Sequence, residues 1–125
     1  MKSEEIKYIN YQIIGLCITL ITTLIAIVLT YNQKLNLEKK KTIFNSKKSL
    51  SITKINRIVI LLVGILFLYI NYKLYKISKK EGEDLTSYSL QILASILIVI
   101  SGIIALYVVS LSNTETIADV ENPNI

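Results

Sequence analysis

The chain contains three long apolar runs that polar, charged segments separate from one another. None of the runs contains a charged residue, and they cover residues 13–29, 58–70 and 90–109. Charges are instead collected in the segments between and beyond the runs. A soluble domain distributes charge through its helices and strands, whereas charge that is excluded from long apolar runs is typical of a membrane protein.

Tyrosines stand at both ends of the first and last runs, as the pairs Tyr11 and Tyr31, and Tyr88 and Tyr107. Each pair spans roughly 30 Å at the helical rise, which is the thickness of the hydrocarbon core of a bilayer. Tyrosine favours the headgroup level because its ring is apolar and its hydroxyl is hydrated. The pattern predicts an all-α membrane protein, a small up-down bundle with transmembrane helices at about 12–31, 56–75 and 88–110.

The middle run is shorter than a complete span. Its strictly apolar part, 58–70, makes about 20 Å of helix. Extension to Tyr75 closes the gap, because tyrosines tolerate the interface and Lys73 can extend its ammonium toward water. A re-entrant segment is the alternative, but Gly64 without any proline gives no break in the helix. The sequence therefore favours three complete crossings.

The charge distribution indicates an orientation by a narrow margin. Residues 31–57 hold eight Lys/Arg against one Glu, and 33–56 are predicted to be a basic cytoplasmic loop. The amino terminus then lies outside a cell membrane, and the balance of basic residues is eight inside to six outside. The whole chain, 1–125, is interpreted as a single integral membrane domain that ends in an acidic tail at 111–125, which we expect to be flexible.

The basic loop is also a candidate lipid contact, because lysines close to an anionic leaflet are attracted to its headgroups. The candidate headgroup residues are Lys39, Lys40, Lys41, Lys47 and Lys48. No aromatic stacking or groove-reading pattern accompanies these charges, so nucleic acid is not an expected partner. The expected partners are the lipid bilayer, including anionic lipids, and other membrane helices.

Small and polar residues form a stripe in two of the spans, and helices in lipid associate closely through such residues. In the first span the stripe consists of Gly15, Thr19, Thr22 or Thr23, Ala26 and Thr30. In the third span it consists of Ser87, Gln91, Ala94 or Ser95, Ser101 or Gly102, and Ala105. These stripes predict that spans one and three contact each other closely, within a protomer or between protomers. The middle span is expected to be the more lipid-exposed one, apart from its Gly64 face.

The composition excludes several chemistries. The chain has no histidine and one cysteine, so it lacks the ligands of common zinc, iron–sulfur and haem sites. The carboxylates of Glu81, Glu83 and Asp84 are interpreted as a solvated turn and an acidic helix start rather than a cation site. Charged residues inside the three apolar runs, on which ion-coupled transporters would depend, are missing. We expect no enzyme, no cofactor and no metal.

Two function classes remain. The first is a non-catalytic subunit or scaffold of a membrane complex, formed with a second membrane protein or as a homo-oligomer. The second is an oligomeric pore-forming or membrane-permeabilising protein, with Thr19, Thr23, Thr30, Ser95 and Ser101 lining water. That class is similar to phage holins in general size only, and the acidic tail departs from their usual basic one. The abundance of Ile, Lys and Asn is typical of bacterial genomes rich in A and T.

Overall fold

Three long helices form the protein, and a computed structural model describes residues 2–111 of it. They are α1 (Lys2–Leu37), α2 (Ser46–Lys80) and α3 (Thr86–Leu111). Each is long and apolar enough to cross a membrane, and within the described residues there is no strand. The predicted all-α, three-helix membrane fold is confirmed. Beyond Leu111, the predicted acidic tail is outside the described residues.

The first connection is much shorter than predicted. Residues 33–56 are predicted to be a loop, but α1 continues to Leu37 and α2 already begins at Ser46. Only residues 38–45 connect the two helices. Asn45 explains the early start of α2, since its side chain accepts a hydrogen bond from the backbone N–H of Lys48 at 2.8 Å. Such a cap satisfies one of the free N–H groups in the first turn of a helix.

Asn32 holds the connection against the end of α1. Its Nδ2 donates to the carbonyl oxygen of Phe44 at 3.3 Å, and its Oδ1 accepts from the backbone N–H of Phe44 at 2.9 Å. Asn32 is itself buried. One amide side chain therefore replaces both hydrogen bonds that the backbone of Phe44 would otherwise form with water.

Helix α2 is the central helix of the molecule. It packs along α1 on one side and along α3 on the other, whereas α1 and α3 hardly contact each other. Two expectations are corrected by this finding. Spans one and three are not close neighbours within the protomer, and the middle span is the most buried of the three. The physical reason is that the large apolar residues of α2 fill the space opposite the small residues of its neighbours.

The helix runs without interruption through 58–70, the segment for which a re-entrant path was the alternative. Its 35 residues correspond to about 50 Å of helix, well beyond the thickness of a hydrocarbon core. The short apolar run is therefore only the middle third of a continuous helix.

Buried residues follow a seven-residue spacing on both outer helices. In α1 the buried positions include Tyr8, Gly15, Thr22 and Leu29. In α3 the buried positions are Ser95 and Val109, and the partly buried Gly102 lies seven residues from each of them. A repeat of seven residues keeps one stripe facing a partner helix at a small left-handed crossing angle. These stripes, together with the facing residues of α2, are called the α1–α2 seam and the α2–α3 seam below.

Candidate functional site

The α1–α2 seam depends on a glycine. A β-carbon added at Gly15 would lie 2.8 Å from Cε1 of Phe67, closer than real contacts allow. The missing side chain thus makes room for the ring of Phe67 on α2. Toward the amino-terminal end of α1, Tyr8 packs against a cluster on α2 formed by Ile70, Leu74 and Ile77. Close approach at small residues is the usual source of stability between helices in lipid.

One polar contact crosses the same seam. The Nδ2 of Asn56 donates to the backbone carbonyl oxygen of Thr22 at 3.2 Å. The hydroxyl of Thr22 donates to the carbonyl oxygen of Thr19 instead, at 2.9 Å. The Oδ1 of Asn56 is buried and accepts no hydrogen bond from the described residues. The amide of Asn56 therefore has a satisfied donor, Nδ2, and an unsatisfied acceptor, Oδ1.

The α2–α3 seam has two glycines that face large residues across it. Gly102 on α3 lies against Leu61, whose Cδ1 would be 3.1 Å from an added β-carbon. Gly64 on α2 lies against Ile98 and Val99, with the nearest atom at 3.3 Å. Both helices therefore contribute a small residue, and each accommodates a bulky side chain of the other.

A hydrogen-bond relay also crosses the α2–α3 seam. The Nδ2 of Asn71 donates to Oγ of Ser95 at 2.7 Å, and this hydroxyl donates to the carbonyl oxygen of Gln91 at 2.9 Å. Ser95 is buried. The contact uses the hydroxyl as acceptor and donor at once, so Ser95 retains no free hydrogen for another partner.

Arg57 is the most unusual residue of this seam. It is only 8% exposed, and its Nη1 donates to the backbone carbonyl oxygen of Ala105 at 2.8 Å. Beside it is a groove of about 320 Å³ between α2 and α3, lined by Arg57, Ile60, Leu97, Ile98, Ser101, Gly102 and Ala105. Arg57 is the charged residue among the lining residues of this groove, which are otherwise apolar apart from Ser101.

The predicted packing residues divide into two groups. One group is buried or half-buried, namely Gly15, Ala26, Ser95, Gly102 and Ala105. Those on the surface of the protomer are Thr19, Thr23 and Gln91. The hydroxyls of the surface threonines donate to carbonyl oxygens of their own helix, Thr19 to Gly15 and Thr23 to Thr19. The stripes are thus split between an inner seam and an outer face.

The predicted headgroup lysines all lie on the surface around the 38–45 connection. Lys39 has a positive φ of 57° and ends α1, because the next residue, Lys40, donates its backbone N–H to the carbonyl oxygen of Leu35. Lys48 stands over the ring of Phe44, with 5.6 Å between Nζ and the ring centroid. The connection therefore displays several lysines beside an aromatic residue at one end of the molecule.

The opposite end contains the acidic turn. The pKa of Glu81 is raised, first because its side chain hydrogen-bonds to Glu83, and then because of desolvation and the charges of Glu5 and Glu83. The pKa of Asp84 is lowered because its carboxylate accepts hydrogen bonds from the backbone and side chain of Thr86. Within residues 2–111, no group of His, Cys, Asp and Glu is arranged to hold a metal ion. The turn precedes α3, which begins at Thr86 and has no acidic residue in its first turn, so the expected acidic helix start is not present.

The cross-helix hydrogen bonds come from polar residues of α2 that the apolar pattern does not single out. They are Asn56, Arg57 and Asn71, which flank the apolar run 58–70. The signal that could have found them is the seven-residue spacing. Asn56 belongs to the series Asn56, Val63, Ile70, Ile77, and Arg57 to the series that continues with Gly64.

Comparison of the chain with protein-family models, with curated proteins and with solved structures finds no match.

Proposed function

We propose that the protein is a non-catalytic subunit or scaffold of a membrane complex, which associates with further helices through the outer faces of α1 and α3. One observation carries the proposal. Each outer helix packs on α2 with a single face, and the two do not pack on each other. Their remaining faces are free for helices of a second copy or of another membrane protein.

The outer face of α1 is suited to such a contact. It presents Thr19, Thr23 and Thr30, whose side chains are short and whose hydroxyls donate to carbonyl oxygens of α1 itself. Small residues let two backbones approach closely in lipid, where dispersion contacts replace the hydrophobic effect as the attractive force. A satisfied hydroxyl also costs little when a partner helix covers it.

The alternative is an oligomeric pore, in which the same three threonines line water. The stripe of surface hydroxyls on α1 favours it. Two observations count against it. Ser95, which a pore would need at its wall, is buried and bonded to Asn71. The faces around the threonine stripe are otherwise large and apolar, with Leu16, Leu20 and Ile27 among the exposed residues.

We further propose a plasma-membrane location with the 38–45 connection in the cytoplasm and the amino terminus outside. The basic residues support this orientation, with eight near the connection and six near the opposite end. The surface lysines of the connection would then face the anionic leaflet.

Cysteine cross-linking in the membrane tests the assembly. In a Cys17→Ser background, Thr23→Cys places a thiol on the threonine face, and we expect disulfide-linked dimers after mild oxidation. The matched control is the natural chain, because Cys17 is exposed on the same helix about 120° away from Thr23. We expect it to give few dimers. Two results contradict the proposal. One is equal cross-linking at both positions. The other is that Thr23→Cys gives no cross-linking, whether or not the native membrane is present.

Dye release from vesicles separates the scaffold from the pore. The purified protein, reconstituted alone, is expected to retain an enclosed fluorescent dye as well as empty vesicles do. Release that depends on protein concentration and falls with Thr23→Leu supports the pore instead. The cross-linking result and the release result together assign one of the two functions.

A further inference from the structure

A cleft with three lysines lies between α2 and α3, at the end of the molecule opposite the 38–45 connection. Its volume is about 650 Å³. Five of its lining residues belong to one stretch of α2, and the sixth belongs to α3. They are Tyr72, Tyr75, Lys76, Lys79 and Lys80 from α2, and Ile92 from α3. Together these residues are called the lysine cleft below.

The lysine cleft runs from the headgroup level toward the hydrocarbon core. Tyr75 marks the end of the middle span, and Lys80 lies about 8 Å beyond it along α2. Ile92 lies about 6 Å inside Tyr88, the tyrosine at the headgroup level of α3. The basic end of the cleft therefore lies at the interface, and its apolar end lies inside the bilayer. A phospholipid has the same order, with its phosphate at the interface and its acyl chains toward the centre.

The positive charge of the cleft is not balanced by carboxylates. Within residues 2–111, none of its three lysines forms an ion pair with a carboxylate. Lys76 lies over the ring of Tyr72 instead, with 5.4 Å between Nζ and the ring centroid. Such a cation–π contact leaves the charge of the ammonium in place. Lys79 and Lys80 are exposed, so the cleft carries three positive charges that an incoming anion can reach.

The acidic residues at this end of the molecule are engaged elsewhere. Glu81 hydrogen-bonds to Glu83 and is close enough to Glu5 of α1 to be affected by its charge, whereas the lysine cleft lies beside α3. The carboxylate of Asp84 accepts hydrogen bonds from Thr86. The carbonyl end of α2 contributes only about half a negative charge, which three ammonium groups exceed. The charge of the cleft therefore favours an anionic ligand.

We propose that the lysine cleft binds one anionic phospholipid, with its phosphate among Lys76, Lys79 and Lys80 and an acyl chain along Ile92. An ammonium group attracts a phosphate as a point charge, and the hydroxyls of the two tyrosines supply further donors. The site is separate from the lysines of the 38–45 connection, which lie at the other face of the membrane. It does not depend on association through α1, so either proposal can fail while the other stands.

Native mass spectrometry of the detergent-solubilised protein, titrated with phosphatidylglycerol or phosphatidylcholine, tests the site. We expect one phosphatidylglycerol to be retained in preference to phosphatidylcholine, because both contain a phosphate but only the first has a net charge. Lys76→Gln combined with Lys79→Gln is expected to weaken this binding roughly 25-fold, since one basic residue near an anionic surface contributes about fivefold. Ile92→Trp, which keeps every lysine and fills the apolar end, is expected to weaken it as well.

Two further proteins control for charge and for bulk. Lys7→Gln combined with Lys73→Gln removes the same two charges at the same end of the molecule. Both of these lysines lie over tyrosine rings outside the cleft. Leu93→Trp adds the same ring at an exposed position next to Ile92. We expect both control proteins to retain most of the phosphatidylglycerol binding. An excess of glycerol phosphate is expected to displace little lipid, because it lacks the acyl chain.

Four results would overturn the site. Equal retention of the two lipids contradicts the role of the net charge. Equal weakening by the two lysine pairs shows a general attraction to this end of the molecule instead of a cleft. Displacement by glycerol phosphate shows a site for phosphate alone. If both cleft variants change the number of subunits and leave lipid binding intact, an acidic surface of a second copy occupies the cleft.

Discussion

Asn56 and Asn71 are chemically equal residues in unequal surroundings. Asn71 donates to Ser95 at 2.7 Å, within a relay that ends on a backbone carbonyl. Asn56 donates to Thr22 at 3.2 Å and leaves its buried Oδ1 without a donor among the described residues. An unsatisfied buried acceptor costs about 1–3 kcal/mol, which offsets the gain from the single bond that the amide makes.

The two asparagines therefore respond differently to an apolar replacement. Asn56→Leu removes the unsatisfied acceptor together with one long hydrogen bond, and we expect its stability to stay within about 1 kcal/mol of the parent or to rise. Asn71→Leu leaves Ser95 without its donor, and we expect a loss of about 1 kcal/mol. Reversible unfolding in mixed micelles measures both. A larger loss for Asn56→Leu than for Asn71→Leu contradicts this account.

At the acidic turn, the raised pKa of Glu81 predicts a dependence on its neighbour. Because a raised pKa favours the protonated carboxyl in the folded protein, folding gains stability as pH falls through that pKa. Glu83→Gln removes the hydrogen-bonded carboxyl and a negative charge, so we expect the pKa of Glu81 to fall toward 4.5. Carbon-13 NMR titration of the side-chain carboxyl measures it. Glu4→Gln is the control and should change it little.

At the scale of the elements, α2 holds the other two helices at different parts of its surface. The α1–α2 seam places the ring of Phe67 over Gly15, and the α2–α3 seam places Leu61 over Gly102. In each case a glycine on an outer helix faces a large residue of the central one. Neither outer helix has an alternative partner within the protomer, so each depends on its own seam.

Gly102→Leu is expected to separate α3 from α2, because even a β-carbon there would lie 3.1 Å from Leu61. Overpacking of this kind typically costs about 1–3 kcal/mol. Leu62→Ala is the control, since Leu62 is 59% exposed and outside both seams. Proteolysis and thermal unfolding in detergent measure the difference. Equal effects of the two substitutions contradict the arrangement of the α2–α3 seam.

The number and type of the helices were predictable, because runs bracketed by tyrosines report directly on the thickness of a bilayer. The small residues also predict that Gly15 and Gly102 pack against a neighbouring helix, but within the protomer that helix is α2 and not the other outer helix. Small residues indicate where a helix is approached and do not say by which helix. The decisive information was on α2, where Phe67 and Leu61 fill the spaces that the glycines leave. Matching large residues to small ones requires the relative heights of the helices, which one sequence does not contain.

At the scale of the whole molecule, the apolar bands of α1 and α3 are not level. Asn56 contacts Thr22, nine residues or about 14 Å from Tyr31. The next residue, Arg57, contacts Ala105, which is two residues or about 3 Å from Tyr107. At the 38–45 end, the apolar band of α1 therefore extends roughly 10 Å farther than that of α3.

A bilayer with parallel faces accommodates this offset if the molecule tilts. The axes of α1 and α3 are at most about 20 Å apart, since each lies about 8–10 Å from α2. We therefore expect the helices to tilt by about 25–30°, within the usual range for membrane helices. Polarised infrared spectroscopy of oriented bilayers measures the angle.

A single lysine provides the control for this tilt. Val28→Lys moves the polar boundary of α1 about 5 Å toward the level of Arg57, because three residues separate Val28 from Tyr31. We expect the tilt to decrease in this variant. Upright helices in the parent protein, or a tilt that Val28→Lys leaves unchanged, would show that the bilayer adapts its thickness to the protein instead.

The central position of α2 also sets an order of events during synthesis. The chain emerges from the amino terminus, so α1 enters the membrane while the helix that it packs against is still being translated. Until Phe67 arrives, the surface around Gly15 and Thr22 has no partner within the chain. The α1–α2 hairpin can then close, and α3 adds to it afterwards. A nascent chain stalled after α2 should therefore contain a hairpin that is already packed. In a chain stalled after α1, that helix should still be accessible to insertion factors.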